Sequence, residues 1–189
     1  MCIDDQAGRQ APSPELVALT GYMGAGKTTV GRALASLLRW SFFDLDCEVE
    51  LRHKLLVREI FQLRGESGFR EIETATLRAV LQQASGSTVI ALGGGTFIQP
   101  VNAELLQSRG VRVVFLETAI EELLQRCQAA TEHSPQNPRP LAATPEAFRD
   151  LYAQRLPFYR TADLTVNATG KAVEELAQEI VLSLRPSHR

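Results

Sequence analysis

The stretch GYMGAGKTT, residues 21–29, lies between the apolar run LVALT and the helix-like run VGRALASLL. Gly21, four further residues, Gly26, Lys27 and Thr28 match G-x-x-x-x-G-K-[ST], a pattern that requires a strand before it and a helix after it. Glycines let backbone N–H groups turn inward with no Cβ in the way, and the first turn of the helix adds its positive end. In such a loop Lys27 can reach the β- and γ-phosphates, and Thr28 offers a hydroxyl to Mg²⁺. The loop thus dictates a strand-loop-helix start to the fold and a nucleoside triphosphate at the helix N-terminus.

The same alternation continues along the chain. After 16–20, short β-type runs occur at 41–46 (SFFDLD), 88–92 (TVIAL), 111–116 (VRVVFL) and 163–166 (DLTV), with longer helical patterns between them. This predicts crossover connections and a parallel sheet covered on both faces, a three-layer α/β architecture. Val30, Ala33, Leu34, Leu37 and Leu38 fall on one helical stripe, as do Val173, Leu176, Ile180, Val181 and Leu184. Thr118 with Glu121 reads as a capping-box start, and Thr144, Pro145 and Glu146 as an N-cap, a first-turn proline and an early acid. At 189 residues, 44% hydrophobic, the chain suits one well-buried core. Residues 15–189 are expected to form a single domain, with 1–14 a mobile tail. The polar stretch QAATEHSPQNPRPLAAT, 128–144, has no periodic apolar face and is expected as a surface loop or an active-site lid, between which length alone does not choose.

Composition excludes several classes of partner. A net charge of −2 and a pI near 6.0 give no bulk attraction to nucleic acid or to an anionic membrane, and no apolar run approaches transmembrane length. Cys2, Cys47 and Cys127 form no CxxC pair, which argues against a disulfide framework or a zinc site and for a reducing compartment. A GTPase would carry a DxxG switch and an NKxD motif after the loop, but the one DxxG, Asp5 to Gly8, precedes it. An oligomeric ATPase normally carries an apolar strand ending in Asp or Asp-Glu, whereas TVIAL runs into Gly93, Gly94 and Gly95. These features point away from water as phosphate acceptor and toward a small kinase.

The acceptor would then be met by a second group of residues. Asp44 and Asp46 are expected on one face at the carboxyl end of the second strand, where ligands bind in parallel sheets. One carboxylate could hold hydrated Mg²⁺ while the other accepts a hydrogen bond or a proton from an attacking hydroxyl; alternatively both are solvated strand-end residues. Arg70 and Glu73 are spaced to orient each other on a helix, either as a surface ion pair or with the guanidinium fork presented to a carboxylate or phosphate. The glycines at 93–95 either admit a ligand close to the backbone or form a flexible turn. Arg139 lies in the lid candidate, where closure could neutralise phosphate charge, and Arg155 lies near the end of the next helix. His53 and His133 have no partner at useful spacing and are expected to face solvent.

GYMGAGKTT, FDLD, GFREIE, ALGGG, NPRPL and RLPFYR, in that order, closely resemble the shikimate kinase family. The resemblance implies a P-loop kinase fold like that of nucleoside monophosphate kinases: a five-stranded parallel sheet of order 2-3-1-4-5, helices on both faces and a mobile lid. It implies transfer of the γ-phosphoryl group of ATP to the 3-hydroxyl of shikimate, with Mg²⁺, on the chorismate route to aromatic amino acids. Position by position, Gly24, Ala25, Gly26, Lys27, Thr28 and Thr29 would hold the phosphates, with Thr28 ligating Mg²⁺ and Asp44 in its water shell. Asp46 would bind the shikimate hydroxyls and act as base, completing a catalytic set with Lys27 and Arg139. Arg70 and Arg155 would clamp the shikimate carboxylate, Glu73 would orient the site, and Gly94, between Gly93 and Gly95, would donate a backbone contact. Arg139 would close onto ATP, with Arg126 and Lys171 near adenine. The expected partner is shikimate alone, with no nucleic acid or membrane, for a cytoplasmic monomer. One departure is the stretch AATEHSPQN between Arg126 and Arg139, longer and less basic than the family's lid, which bears on nucleotide affinity or closing more than on chemistry. Two alternatives are a gluconate-type or other small-metabolite kinase on the same fold, and a non-catalytic nucleotide-binding homologue.

Overall fold

The computed structural model describes residues 15–133 and 144–184. The expected tail at 1–14, Arg139 with its NPRPL motif, and 134–143 of the lid segment lie outside the described residues. β1 (Leu16–Thr20), β2 (Ser41–Asp44), β3 (Thr88–Ala91), β4 (Arg112–Glu117) and β5 (Leu164–Asn167) form one parallel sheet of order β2-β3-β1-β4-β5. The expected order is the one observed. Between the strands lie α1 (Lys27–Leu38), α2 (Leu45–His53), α3 (Val57–Gln83), α4 (Pro100–Ser108), α5 (Ile120–His133), α6 (Pro145–Tyr159) and α7 (Val173–Leu184).

The sheet is buried on both faces because its strands are apolar at consecutive positions, and period-2 geometry sends neighbours to opposite sides. Val17, Leu19 and Val114 enter a core shared with Leu34, Leu123, Phe148 and Ile180, whereas Ala18, Ile90 and Val113 enter one shared with Leu77, Val80 and Leu106. The stripe predicted on α7 is found at Leu176, Ile180 and Leu184. On α1 the buried arc runs from Val30 through Leu34 and Gly31 to Ala35; Leu37 lies beyond its edge in the last turn and is 53% exposed.

Local capping chemistry overrides the sequence pattern in two places. The second strand was expected to reach Asp46, but β2 stops at Asp44, whose carboxylate accepts the Cys47 N–H at 3.2 Å and caps α2. Asp46 therefore sits in the first turn of a helix rather than two residues along a strand. The capping box expected at Thr118 does not form: the Ala119 carbonyl starts α5, the Ala119 N–H goes to Thr169 Oγ1 at 2.9 Å, and the buried Thr118 hydroxyl has no hydrogen-bond partner. Thr144 does cap α6, accepting the Ala147 N–H at 3.2 Å. α5 continues to His133, so the first six residues of the stretch expected to be irregular, 128–133, are helical. α3 is broken at Gly65, whose φ of 66° and ψ of −175° interrupt the helix and let its two parts take different directions.

The contact between α1 and β2 is tested at Gly31. An ideal Cβ there would lie 2.6 Å from Phe42 Cε2 and 3.4 Å from Leu19 Cδ1. Helix propensity favours alanine by about 1 kcal/mol, but forcing a methyl group into packed side chains costs about 1–3 kcal/mol. Gly31→Ala is expected to lower the midpoint of urea unfolding; a raised midpoint would show that the Phe42 ring moves aside at little cost.

Candidate active site

The turn after β1 is shaped by glycines that no other residue could replace cheaply. Gly24 and Gly26 have φ of 83° and 84°, and a Cβ on Gly24 would lie 3.0 Å from Cys127 Sγ and 3.2 Å from the Leu123 carbonyl. The turn is therefore pressed onto α5. Lys27, the first residue of α1, donates from Nζ to the carbonyls of Gly21 at 2.9 Å and Tyr22 at 3.0 Å, bracing the loop. No acidic residue occupies the first turn of α1, so the positive end of that helix is left for a ligand. The residues expected to cradle phosphate, Gly24 to Thr29, line one side of a cleft of about 590 Å³.

Thr28 Oγ1 donates to Asp44 Oδ2 at 2.5 Å. A hydroxyl and a carboxylate in contact beside a phosphate-type loop form an all-oxygen donor pair that fits Mg²⁺, which sites of this kind hold with one or two protein oxygens while phosphate and water complete the octahedron. No cluster of three or more His, Cys, Asp or Glu with metal-binding geometry occurs among the described residues.

At one end of the cleft Arg126 of α5 donates to the Gly24 carbonyl at 3.3 Å and pairs with Glu122, whose other oxygen accepts the Gly170 N–H at 3.0 Å. One carboxylate thus ties α5 to the turn before α7. Lys171, in that turn, pairs with Glu179, and Val173 and Leu176 supply an apolar wall. Arg126 and Lys171 both line the cleft.

The other end gathers Asp46, Arg70, Glu73, Gly93, Gly94, Gly95 and Arg155. Arg70 and Glu73 are not a surface pair: Arg70 Nη1 donates to Glu73 Oε2 at 2.8 Å, and Glu73 is only 1% exposed. The three glycines were expected to admit a ligand or to form a flexible turn, yet what they chiefly admit is the protein's own groups. A Cβ on Gly93 would lie 2.6 Å from Glu73 Oε1 and 2.9 Å from Asp46 Oδ1, and one on Gly95 would collide with the Arg70 guanidinium. Gly94, expected to donate to a ligand, offers its carbonyl inward, accepting from Arg155 Nη1 at 3.4 Å and from the Tyr159 hydroxyl. The Nε atoms of Arg70 and Arg155 are buried with no hydrogen-bond partner. Two guanidiniums thus flank neighbouring glycines with donors still to be satisfied.

Several residues of this site were not found from the sequence. Phe61 and Phe69 stack at 4.3 Å between centroids and, with Val57, form an apolar wall of the cleft. Tyr22 donates its hydroxyl to the Phe148 carbonyl at 3.0 Å and places its ring 5.9 Å from the Arg155 guanidinium carbon, joining the loop to α6. Tyr159 lies four residues after Arg155 and so shares its helix face, a spacing that could have identified it. Burial pushes the Tyr159 hydroxyl up to about 12 and raises Tyr22 further; both remain proton donors throughout the working range.

Among the described carboxyl groups Asp46 is the most altered by its surroundings. Enclosure by protein, then repulsion from Glu73 and Asp44, push its carboxyl up to about 6 against the pull of Lys27. Its side chain nevertheless opens onto the cleft and is exposed there. Water reaching it relieves part of the burial, which makes the neighbouring carboxylates the more durable cause.

Residues 23–185 match the family model for shikimate kinase. A shikimate kinase of Halorhodospira halophila is 41% identical over 177 residues, covering 92% of this chain and 95% of that protein. One from Geobacter sulfurreducens is 41% identical over 172 residues, covering 89% and 90%. Among solved structures, a shikimate kinase from Acinetobacter baumannii in complex with shikimate superposes with a TM-score of 0.82 at 39% identity, over 94% of this chain and 97% of that one.

The state of Asp46 can be read from stability. Its folded value of about 6 lies above its ordinary 3.8, so the unfolded chain ionises first as pH rises, and stability is lost between those values. In metal-free buffer Asp46→Asn is expected to match the wild type in melting temperature near pH 4. It should melt higher above pH 6, the gap opening between. A variant that melts lower than wild type at pH 8 would show that the carboxylate is held favourably and that its value is not raised.

Proposed function

The chain belongs to the shikimate kinase family, and from that premise we infer how its cleft carries the γ-phosphoryl group of ATP to the 3-hydroxyl of shikimate, giving shikimate 3-phosphate and ADP. The observation that carries the reading is the meeting, in one cleft, of a phosphate-type loop with an acceptor pocket built from Asp46, the half-buried Arg70 and the buried Arg155. Gluconate, the acceptor of a gluconate-type kinase, also carries a carboxylate that paired arginines would suit, so what favours shikimate is the family match over residues 23–185. A non-catalytic homologue gives no reason for the complete set of charged groups.

In this reading the amides of 24–29 and the N-terminus of α1 hold the ATP phosphates, and the Lys27 ammonium leaves the loop carbonyls to neutralise charge on the transferring group. Thr28 would ligate Mg²⁺ with Asp44 in its water shell, and the ion when bound would screen the charge of the phosphate oxygens. Arg70 and Arg155 grip the acceptor carboxylate and thereby turn the ring so that its 3-hydroxyl faces the phosphate. Asp46 accepts the hydrogen bond of that hydroxyl and takes its proton as the new bond forms. A carboxyl near 6 suits the task, being ionised at neutral pH yet more basic than an ordinary aspartate. Most of the rate comes from alignment and charge neutralisation around an in-line transfer. Arg139 completes the donor side in this account, closing onto ATP. The reading extends to a monomer working on a small molecule in the cytoplasm, in keeping with Cys47 and Cys127 not being joined in a disulfide.

The direct test is ADP formation that requires both shikimate and Mg²⁺; folded protein that forms no ADP on adding shikimate would overturn the reading. Asp46→Asn is expected to lower kcat by about 10²- to 10⁴-fold with ATP affinity retained. In the wild type kcat/KM for shikimate should fall as pH drops through about 6, where Asp46 takes up a proton. Loss of ATP affinity equal to the loss of turnover would instead place Asp46 in the metal shell.

A further inference from the structure

Behind the acceptor arginine a line of buried polar contacts leads away from the cleft. Glu73 gives Oε2 to Arg70 Nη1 at 2.8 Å and Oε1 to the Thr96 hydroxyl at 2.6 Å. The Thr96 carbonyl in turn accepts Asn102 Nδ2, from α4, at 3.1 Å. Glu73 is 1% exposed and Thr96 and Asn102 are fully buried. Neither Thr96 nor Asn102 lines the cleft. The turn that carries Thr96 is closed by its own backbone, with the Thr96 N–H on the Gly93 carbonyl at 3.1 Å and the Gln99 N–H on the Thr96 carbonyl at 3.3 Å.

We propose that Thr96, seated by Asn102, is a positioning residue that fixes how Glu73 holds Arg70, and so sets the affinity of the acceptor pocket for the shikimate carboxylate. This rests on the reading of Arg70 as a carboxylate-binding group. With Thr96 on Oε1, Glu73 takes a single N–H of Arg70, Nη2 reaches only the exposed Glu66 at 3.3 Å, and Nε stays buried without a partner. The guanidinium is held in place yet keeps donors for a ligand. Remove the hydroxyl, and Oε1 becomes a buried charged oxygen with no donor, a costly state. The nearest remedy is a second N–H from Arg70, because carboxylate and guanidinium pair readily through two parallel bonds. That closed pair would draw from the cleft the donors that a substrate carboxylate needs.

The glycine-rich turn is cut to allow this arrangement. A Cβ on Gly93 would lie 2.6 Å from Glu73 Oε1 and 3.0 Å from Thr96 Oγ1, directly across the hydrogen bond, and one on Gly95 would displace the guanidinium. The sequence GGGT is in this account a seat for a carboxylate and an arginine that are otherwise on α3.

The test is steady-state kinetics on Thr96→Val, Thr96→Ser, Arg70→Lys and the Thr96→Val/Arg70→Lys double variant, each checked for folding by thermal unfolding. Thr96→Val is expected to raise KM for shikimate by about tenfold, the loss expected of one charge-assisted hydrogen bond, with KM for ATP unchanged. Thr96→Ser, which keeps the hydroxyl, restores most of the affinity. Added to Arg70→Lys, Thr96→Val produces little further change, since residues acting through one another are not additive. An unchanged shikimate KM in Thr96→Val, equal rises in both KM values, or full additivity in the double variant would overturn the proposal. If Thr96→Val does not fold, Thr96→Ala is read by the same criterion, and loss of folding in both shows a purely structural contact and also overturns it. A shikimate KM unchanged by Arg70→Lys alone refutes the role of Arg70 itself, a result distinct from any of these.

Discussion

All five strands point the same way, so one edge of the sheet receives every carboxyl-terminal connection, and the cleft can form only there. β1 occupies the centre and ends in the phosphate-type loop. On one side β2 delivers Asp44 and Asp46 and β3 delivers the glycines 93–95. On the other, β4 leads into α5 with Arg126 and β5 into the turn with Lys171. The strand order therefore divides the cleft into an acceptor side and a base side before any side chain is considered. Arg155 is the exception, brought to the acceptor side by α6, where it bonds the Gly94 carbonyl and lies over Tyr22 of the loop.

Within that frame the charges are arranged against the interest of stability. Asp44, Asp46 and Glu73 crowd one another, which raises Asp46, and a buried ion pair such as Arg70 with Glu73 rarely repays its desolvation. Both features make sense for a site that must hold incoming phosphate and carboxylate groups in a fixed direction. The glycine turn, the Thr96 hydroxyl and the Tyr159 hydroxyl serve the same end by fixing groups that would otherwise turn toward each other. Such preorganised dipoles and charges need little rearrangement when charge shifts during transfer.

What could be read from the sequence was what is local. The loop's nine residues carry their whole function in order, and the alternation of strand and helix patterns needed no tertiary knowledge. Capping chemistry defeated the strand pattern at Asp46, because the Asp44 carboxylate and Cys47 N–H made a helix start cheaper than two more strand residues. Thr118 is not the cap because the helix starts one residue later, from the Ala119 carbonyl, and the Ala119 N–H is taken by Thr169, fifty residues beyond it. The spacing of Arg70 and Glu73 was legible, but its burial was not, since that depends on Thr96 arriving from the end of β3. Tyr22 was invisible for the same reason: its partners Phe148 and Arg155 lie on α6.

In the proposed site one edge of this sheet holds a nucleotide and a carboxylate-bearing acceptor side by side. Calorimetric titration of shikimate into the full chain, free and saturated with ADP and Mg²⁺, tests it most directly. One shikimate is expected to bind per chain; folded protein that binds none under either condition would refute a two-substrate cleft.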